Sequence, residues 1–200
     1  LADEIMHTVV QYLLGDARGL CVIAVGKLGG REIGYASDLD LMFLYEPSAA
    51  PNPDEAAAYY SRHAQRIIRM LSEPHAGGPG YVMDTRLRPS GSHGLLVASL
   101  RSFASYHGLQ ETEGGPERPA GFGGGLAWER QALIRARFCA GDPVLGARAM
   151  NIATLAAYEG GPPAPAEMHR LRLRMERELG RERPTRKELK VGRGGLLDIE

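Results

Sequence analysis

Apolar residues at Ile5, Val9, Tyr12 and Leu13 follow a helical spacing over residues 1–17, which Gly15-Asp16 breaks. The unbroken apolar run from Cys21 to Val25 predicts a buried strand. A turn containing Gly26, Gly29 and Gly30 leads to a second apolar run in which Asp38 and Asp40 alternate with Leu39, Leu41 and Phe43. Pro47 to Pro53 predicts a loop, with Asp54 as cap for a helix over about 55–72 whose apolar side is Tyr59, Ala64, Ile67, Ile68 and Leu71. Further on, the pattern predicts strands at about Gly80–Arg88 and Leu95–Ala98, and a helix near 99–107. The glycine-rich stretch 108–126 reads as a flexible loop. Helices are expected at Trp128–Phe138, with Trp128 as a core anchor, and from Asp142-Pro143 to about Tyr158. After a linker over 160–165, Met168, Leu171, Met175 and Leu179 stripe a charged helix from Ala166 to Gly180.

The polar residues that interrupt this pattern carry the chemistry. In an extended strand, side chains two apart share a face, so Asp38 and Asp40 project together while Leu39, Leu41 and Phe43 pack behind them. Unpaired like charges so placed are costly, and bound divalent cations relieve that cost. Gly29 and Gly30, with Lys27 in the same turn and Ser37 just before the acids, suit a phosphate cradle, because glycine lets the backbone approach closely. Asp84, Arg86 and Arg88 follow a period of two and would share one strand face. They fit a third metal-side acid or general base flanked by guanidinium groups for phosphate oxygens. The turn is not a Walker A loop, since Leu28 stands where Ser or Thr is needed, and the glycines at 192, 194 and 195 do not form a dinucleotide fingerprint. Arg62, Arg66 and Arg69 read as a solvated basic face, and Ser90 with His93 lacks the acid partner of a nucleophilic triad.

Composition narrows the class. The 24 Lys and Arg residues balance 24 Asp and Glu, so no broad basic surface points to nucleic acid. Cys21 and Cys139 have no zinc or disulfide spacing and read as buried or half-buried free thiols. With no signal-peptide pattern and no long apolar span, a cytoplasmic location and no membrane partner are expected. The start at Leu1 and the apolar upswing before Glu200 suggest a piece of a longer protein.

The run GKLGGREIGYASDLDLMFLY resembles the signature of DNA polymerase β-like nucleotidyltransferases. Together with YVMDTRLRPSGSHGLLV, WERQALIRAR and KVGRGGLLDIE, it is similar to the bacterial glutamine synthetase adenylyltransferase/adenylyl-removing family. That resemblance implies an α+β fold with a small mixed sheet flanked by helices and additional C-terminal helices. The expected division is a nucleotidyltransferase core at 1–107, a loop at 108–126 and a helical part at 127–200. It implies ATP as substrate, two Mg2+ ions on Asp38, Asp40 and Asp84, and Lys190 as a phosphate or substrate contact, with Asp198 and Glu200 near the site. The implied protein substrate is glutamine synthetase, with the PII signalling protein and glutamine as regulators of the full-length enzyme. Within that family one half adds AMP to a tyrosine and the homologous half removes it by phosphorolysis. Ser90 and Asp198-Ile199-Glu200 favour the adding half. Two other readings are a polymerase of the same superfamily, which the charge balance disfavours, and a non-catalytic nucleotide-binding module, which three retained acids disfavour.

Overall fold

Helix α1 (Ala2–Leu14) buries Met6 and Val10 and ends where Gly15 turns to a φ of 67°, its amide on the Gln11 carbonyl. Strands β1 (Leu20–Ala24) and β2 (Leu39–Tyr45) pair antiparallel, from Leu20 opposite Tyr45 to Ala24 opposite Leu41. Between them Gly26–Gly29 closes into a single helical turn, α2. The computed structural model describes residues 1–16, 18–35, 37–89, 94–112, 114–119, 127–158, 164–180, 185 and 187–198.

Helix α3 (Ala56–Ser72) follows two short 3-10 turns. Asp54 does not cap α3: the residue before the helix is Glu55, with no side-chain capping bond, and Asn52 caps the 3-10 turn Pro53–Glu55 instead, accepting from the Asp54 amide at 3.2 Å. Strands β3 (Met83–Asp84) and β4 (Val97–Ser99) then pair in parallel with β2, at Leu39–Asp40 and Phe43–Tyr45 respectively. Helix α4 (Leu100–Tyr106) is capped by Ser99, whose hydroxyl accepts from the Ser102 amide at 3.1 Å.

Part of the expected flexible loop is a hairpin, β5 (Gln110–Thr112) and β6 (Gly115–Glu117). Gly115, at a φ of 116°, permits the tight turn, and the Thr112 hydroxyl donates across it to the Gly115 carbonyl at 2.7 Å. Residues 120–126 lie outside the described residues.

The helix expected to reach Phe138 stops early, as α5 (Ala127–Leu133), and the chain re-enters the sheet as β7 (Arg137–Gly141), antiparallel to β1. An open edge on β1 would leave a row of buried backbone groups unpaired, and that demand overrides local helical spacing. Helix α6 (Pro143–Tyr158) then begins at Asp142, which accepts from the amides of Val144 and Leu145 at 2.9 and 3.2 Å. Trp128 is exposed, and the buried residues of α5 are Ala127, Glu129 and Leu133.

The five-stranded mixed sheet is covered on both faces, which is why β1 is buried at every position. Val22, Leu39, Leu41 and Phe43 pack with α1 and α3, through residues such as Met6, Tyr60 and Ile67. Ile23, Met42 and Leu44 pack on the other face with α4, α5 and α6, through Phe103, Leu133 and Ile152. The period of two in each strand thus sorts residues into two cores.

The chain divides into two compact units, Leu1–Glu159 and Gly160–Glu200. Residues 127–158 fall in the first unit, where β7 pairs with β1. In the second unit, helix α7 (Pro165–Leu179) supplies Arg172, which donates to the Val191 and Gly192 carbonyls at 3.0 and 2.8 Å and pairs with Asp198. The free thiols fall as expected, with Cys21 buried and Cys139 half-buried. Burial pushes the Cys139 thiol up to about 12, with Asp3 beside it adding to the shift. Neither thiol should react measurably with a disulfide reagent at pH 8 until denaturant is added; rapid labelling of the native chain would contradict this packing.

Candidate active site

Register builds the centre of the site. The parallel pairing of β2 with β3 sets Asp40 directly opposite Asp84, and the Leu39 amide donates to the Val82 carbonyl at 2.8 Å just before it. Asp38 precedes β2 and is exposed, whereas Asp40 and Asp84 are half-buried. On its other edge the Asp40 carbonyl accepts from the Val25 amide at 3.0 Å, so the glycine turn starts against Asp40. Gly26 has a φ of 54°, and a Cβ there would overlap the Asp40 carboxylate, with Cγ only 3.0 Å away. Only glycine lets the turn lie this close to the acid.

Asp84 is covered by Arg86. Its Oδ1 accepts from the Arg86 amide at 2.9 Å and from Nε at 3.0 Å, while Oδ2 accepts from Nε at 2.9 Å and from Nη2. The Arg86 side chain, through these bonds, holds the Asp84 carboxyl below the usual carboxylate range. Asp84 raises the Arg86 pKa in return, and the charges of Asp40 and Asp38 add to the effect, so all three acids are felt at one guanidinium.

The expected strand through Arg88 is therefore corrected. It lasts only Met83–Asp84, because the Asp84 side chain captures the amide two residues on and turns the chain out of the ladder. Arg88 does not share a strand face with Asp84; it donates to the Thr85 carbonyl and hydroxyl at 2.6 and 3.0 Å and to the Gly94 carbonyl at 3.3 Å, bracing the loop. Ser90, Ser92 and His93 lie outside the described residues.

The glycine turn differs from the expected cradle. The amides of Gly29 and Gly30 donate to the Val25 and Gly26 carbonyls at 2.9 and 3.1 Å, so they are spent inside the turn. Gly29 is buried, and a Cβ on it would overlap the Arg135 carbonyl oxygen, which gives this glycine a packing role. Lys27 is exposed on the turn. Ser37 closes the loop before Asp38, its hydroxyl accepting from the Gly34 amide at 2.9 Å.

Arg135 and Arg137 both reach this turn. A continuous helix would have pointed them apart, but the break after Leu133 removes that constraint. Arg135 pairs with Glu32 at 3.2 Å. Arg137 donates to the Leu28 and Gly29 carbonyls at 2.9 and 3.3 Å and to Asp3 at 2.9 Å. The pairing of Arg137 with Asp3 had no sequence signal, since Asp3 sits 134 residues away on another element.

A small cavity is lined by Val25, Met42, Leu87, Pro89, Tyr106, His107 and Glu129, among others. Tyr106 donates to the buried Glu129, while the Nδ1 of His107 finds no partner among the described residues. His107 is 4% exposed, and burial, aided by the charge of Arg118, lowers its pKa to about 4. Since the unfolded chain takes up this proton near pH 6.5 and the folded chain only near 4, stability falls as pH drops through that window. The loss should reach roughly 3 kcal/mol by pH 4. Urea denaturation of the wild type and His107→Gln at pH 7 and 4.5 checks this; an equal pH slope in both would discount the histidine.

Lys190 lies in the second unit, where its carbonyl accepts from the Leu197 amide at 3.1 Å. Asp198 is engaged by Arg172 in that unit, and Glu200 lies outside the described residues. Among the described residues, no group of three or more His, Cys, Asp or Glu side chains is drawn together tightly enough to hold a metal ion. The donor chemistry nevertheless suits one: Asp38, Asp40 and Asp84 offer hard oxygens, and the cation now seated on Asp84 is the Arg86 guanidinium. No helix among the described residues is long and apolar enough to cross a membrane.

Known proteins resemble this chain over most of its length. The sequence profile described as glutamate-ammonia ligase adenylyltransferase matches residues 3–152. A bifunctional glutamine synthetase adenylyltransferase/adenylyl-removing enzyme of Methylococcus capsulatus is 41% identical over 92% of this chain and 19% of its own length. Proteins of the same name from Nitrosococcus oceani and Ralstonia nicotianae are 40% and 43% identical, over 92% and 90% of this chain and 18% and 17% of theirs. The chain thus spans less than a fifth of the length of these relatives. A match of this extent and identity makes the chain a member of the glutamate-ammonia ligase adenylyltransferase family.

Proposed function

We propose that this chain is a metal-dependent nucleotidyltransferase domain of the polymerase β-like kind that transfers AMP from ATP to a tyrosine hydroxyl of glutamine synthetase. The observation that carries the reading is the register that sets Asp40 beside Asp84, with Asp38 one step before the strand and the Gly26 turn packed on Asp40. Family membership supports the same chemistry.

Asp38, Asp40 and Asp84 would hold two Mg2+ ions. When bound, such ions neutralise phosphate charge and acidify the attacking hydroxyl. The chain's own groups orient and move the proton. Asp84 accepts the phenolic proton as the tyrosine oxygen bonds to the α-phosphorus and the bond to pyrophosphate breaks. Arg86 turns its fork to the β and γ phosphates, and Lys27 and Ser37 are assigned to the same phosphates. Gly29 and Gly30 contribute by keeping the turn compact, and Lys190 is assigned to the phosphates or the protein substrate. Arg88 acts through the loop it braces, so Arg88→Ala should raise the KM for ATP several-fold with a smaller change in kcat. An unchanged KM would remove that loop from the site.

Addition rather than removal of AMP is proposed from Ser90 and from Asp198-Ile199-Glu200. Control of the whole protein by the PII protein and glutamine belongs to the same proposal. The deciding experiment incubates the chain with glutamine synthetase and labelled ATP, beside adenylylated glutamine synthetase with phosphate. Label gained supports the adding reading, and label released as ADP replaces it with the removing one. Neither reaction, together with ATP binding that ignores Mg2+ and Asp40→Asn, would make the chain a binding module.

A further inference from the structure

We propose that Arg86 is a latch: it holds Asp84 while the nucleotide site is empty and leaves it for the incoming phosphates, so the third acid becomes available to a divalent cation only when nucleotide is present. This rests on the reading of the three acids given above.

The Asp84 carboxylate is saturated by one residue. Both oxygens accept from the Arg86 side chain, and Oδ1 also accepts from its amide. A metal ion cannot use those oxygens until the guanidinium moves. Exposure shows which partner can do so: the Arg86 side chain is 76% exposed, whereas that of Asp84 is 15% exposed. The arginine lies over the acid on the solvent side, and among the described residues its guanidinium donates to Asp84 alone. An ion pair open to water is weakly held. A polyphosphate offers the same planar fork a bidentate partner with more negative charge.

Arg88, two residues on, shows the opposite design. Its guanidinium is tied to the Thr85 and Gly94 carbonyls and cannot leave without loosening the loop. One arginine anchors the loop while the other stays free to exchange partners.

Mn2+ binding to the whole chain, followed by electron paramagnetic resonance without nucleotide, tests this directly. Arg86→Gln should tighten Mn2+ about tenfold, the factor expected from freeing one charge-assisted contact. Arg86→Lys should fall between, because it keeps the charge and loses the fork. Adding a non-hydrolysable ATP analogue should tighten Mn2+ strongly in the wild type and much less in Arg86→Gln. Asp84→Asn in the Arg86→Gln background should erase the gain. If Asp40→Asn removes Mn2+ binding but Arg86→Gln leaves the affinity unchanged or weaker, the latch is wrong and the acid site stands. If Asp40→Asn has no effect on Mn2+ with or without nucleotide, the acid-site reading falls and the latch with it.

Discussion

Asp40→Asn is expected to reduce AMP transfer by on the order of 10³-fold, about 4 kcal/mol of transition-state stabilisation, while leaving the fold intact. Asparagine matches aspartate in shape but lacks the charge that a divalent cation needs. The backbone at this position would not register the change, because the Asp40 carbonyl keeps the Val25 amide and β2 keeps its partners on both edges. Asp38→Asn should lose activity similarly and cost still less stability, since that side chain is exposed. Single-turnover transfer of labelled AMP, run beside a thermal melt, measures both quantities. Wild-type turnover in Asp40→Asn would remove the metal assignment, whereas a collapsed melt would mean that the acid serves the fold.

Gly29→Ala is expected to cost about 3 kcal/mol or more, and Gly30→Ala less than about 0.5 kcal/mol. The adjacent glycines look equivalent in the sequence, but their surroundings differ. A Cβ on Gly29 would overlap the Arg135 carbonyl oxygen and come within 2.9 Å of the Ala24 carbonyl oxygen, and both belong to backbone that cannot turn aside. At Gly30 the nearest atoms are the Glu32 carboxyl carbon at 3.3 Å and Arg135 Cδ at 3.6 Å, ends of side chains that can move, and the backbone is already right-handed at a φ of −73°. Urea midpoints of the two variants decide between packing and a shared phosphate-cradle role. Equal stability with equal loss of ATP affinity would restore the cradle.

Several elements were readable because their signals are local. The spacing in α1, α3, α6 and α7, the apolar runs of β1 and β2, and the Asp142-Pro143 start of α6 all appear close to where the pattern put them. Asp40 was legible for a similar reason, as a charge interrupting a strand that buries all of its other residues. Strand β3 was overestimated because period-two alternation describes which side chains would share a face, not whether a side chain will capture the backbone, as Asp84 does. Strand β7 was missed because a run as short as Phe138-Cys139-Ala140 carries too little periodicity to outweigh the helical stretch before it.

Residue order alone decided the two-core patterning of the central strands, the placing of paired acids beside a glycine turn, and the kinship those motifs express. These depend on neighbours a few positions apart, where backbone geometry leaves little choice. Tertiary structure alone decided that Asp84 stands opposite Asp40, that Arg86 rather than Arg88 covers it, and that Arg137 reaches the turn. Each of those depends on strand register or on the capture of one backbone group instead of another. Such choices are settled by the pairing of the whole sheet, which no short window of sequence contains.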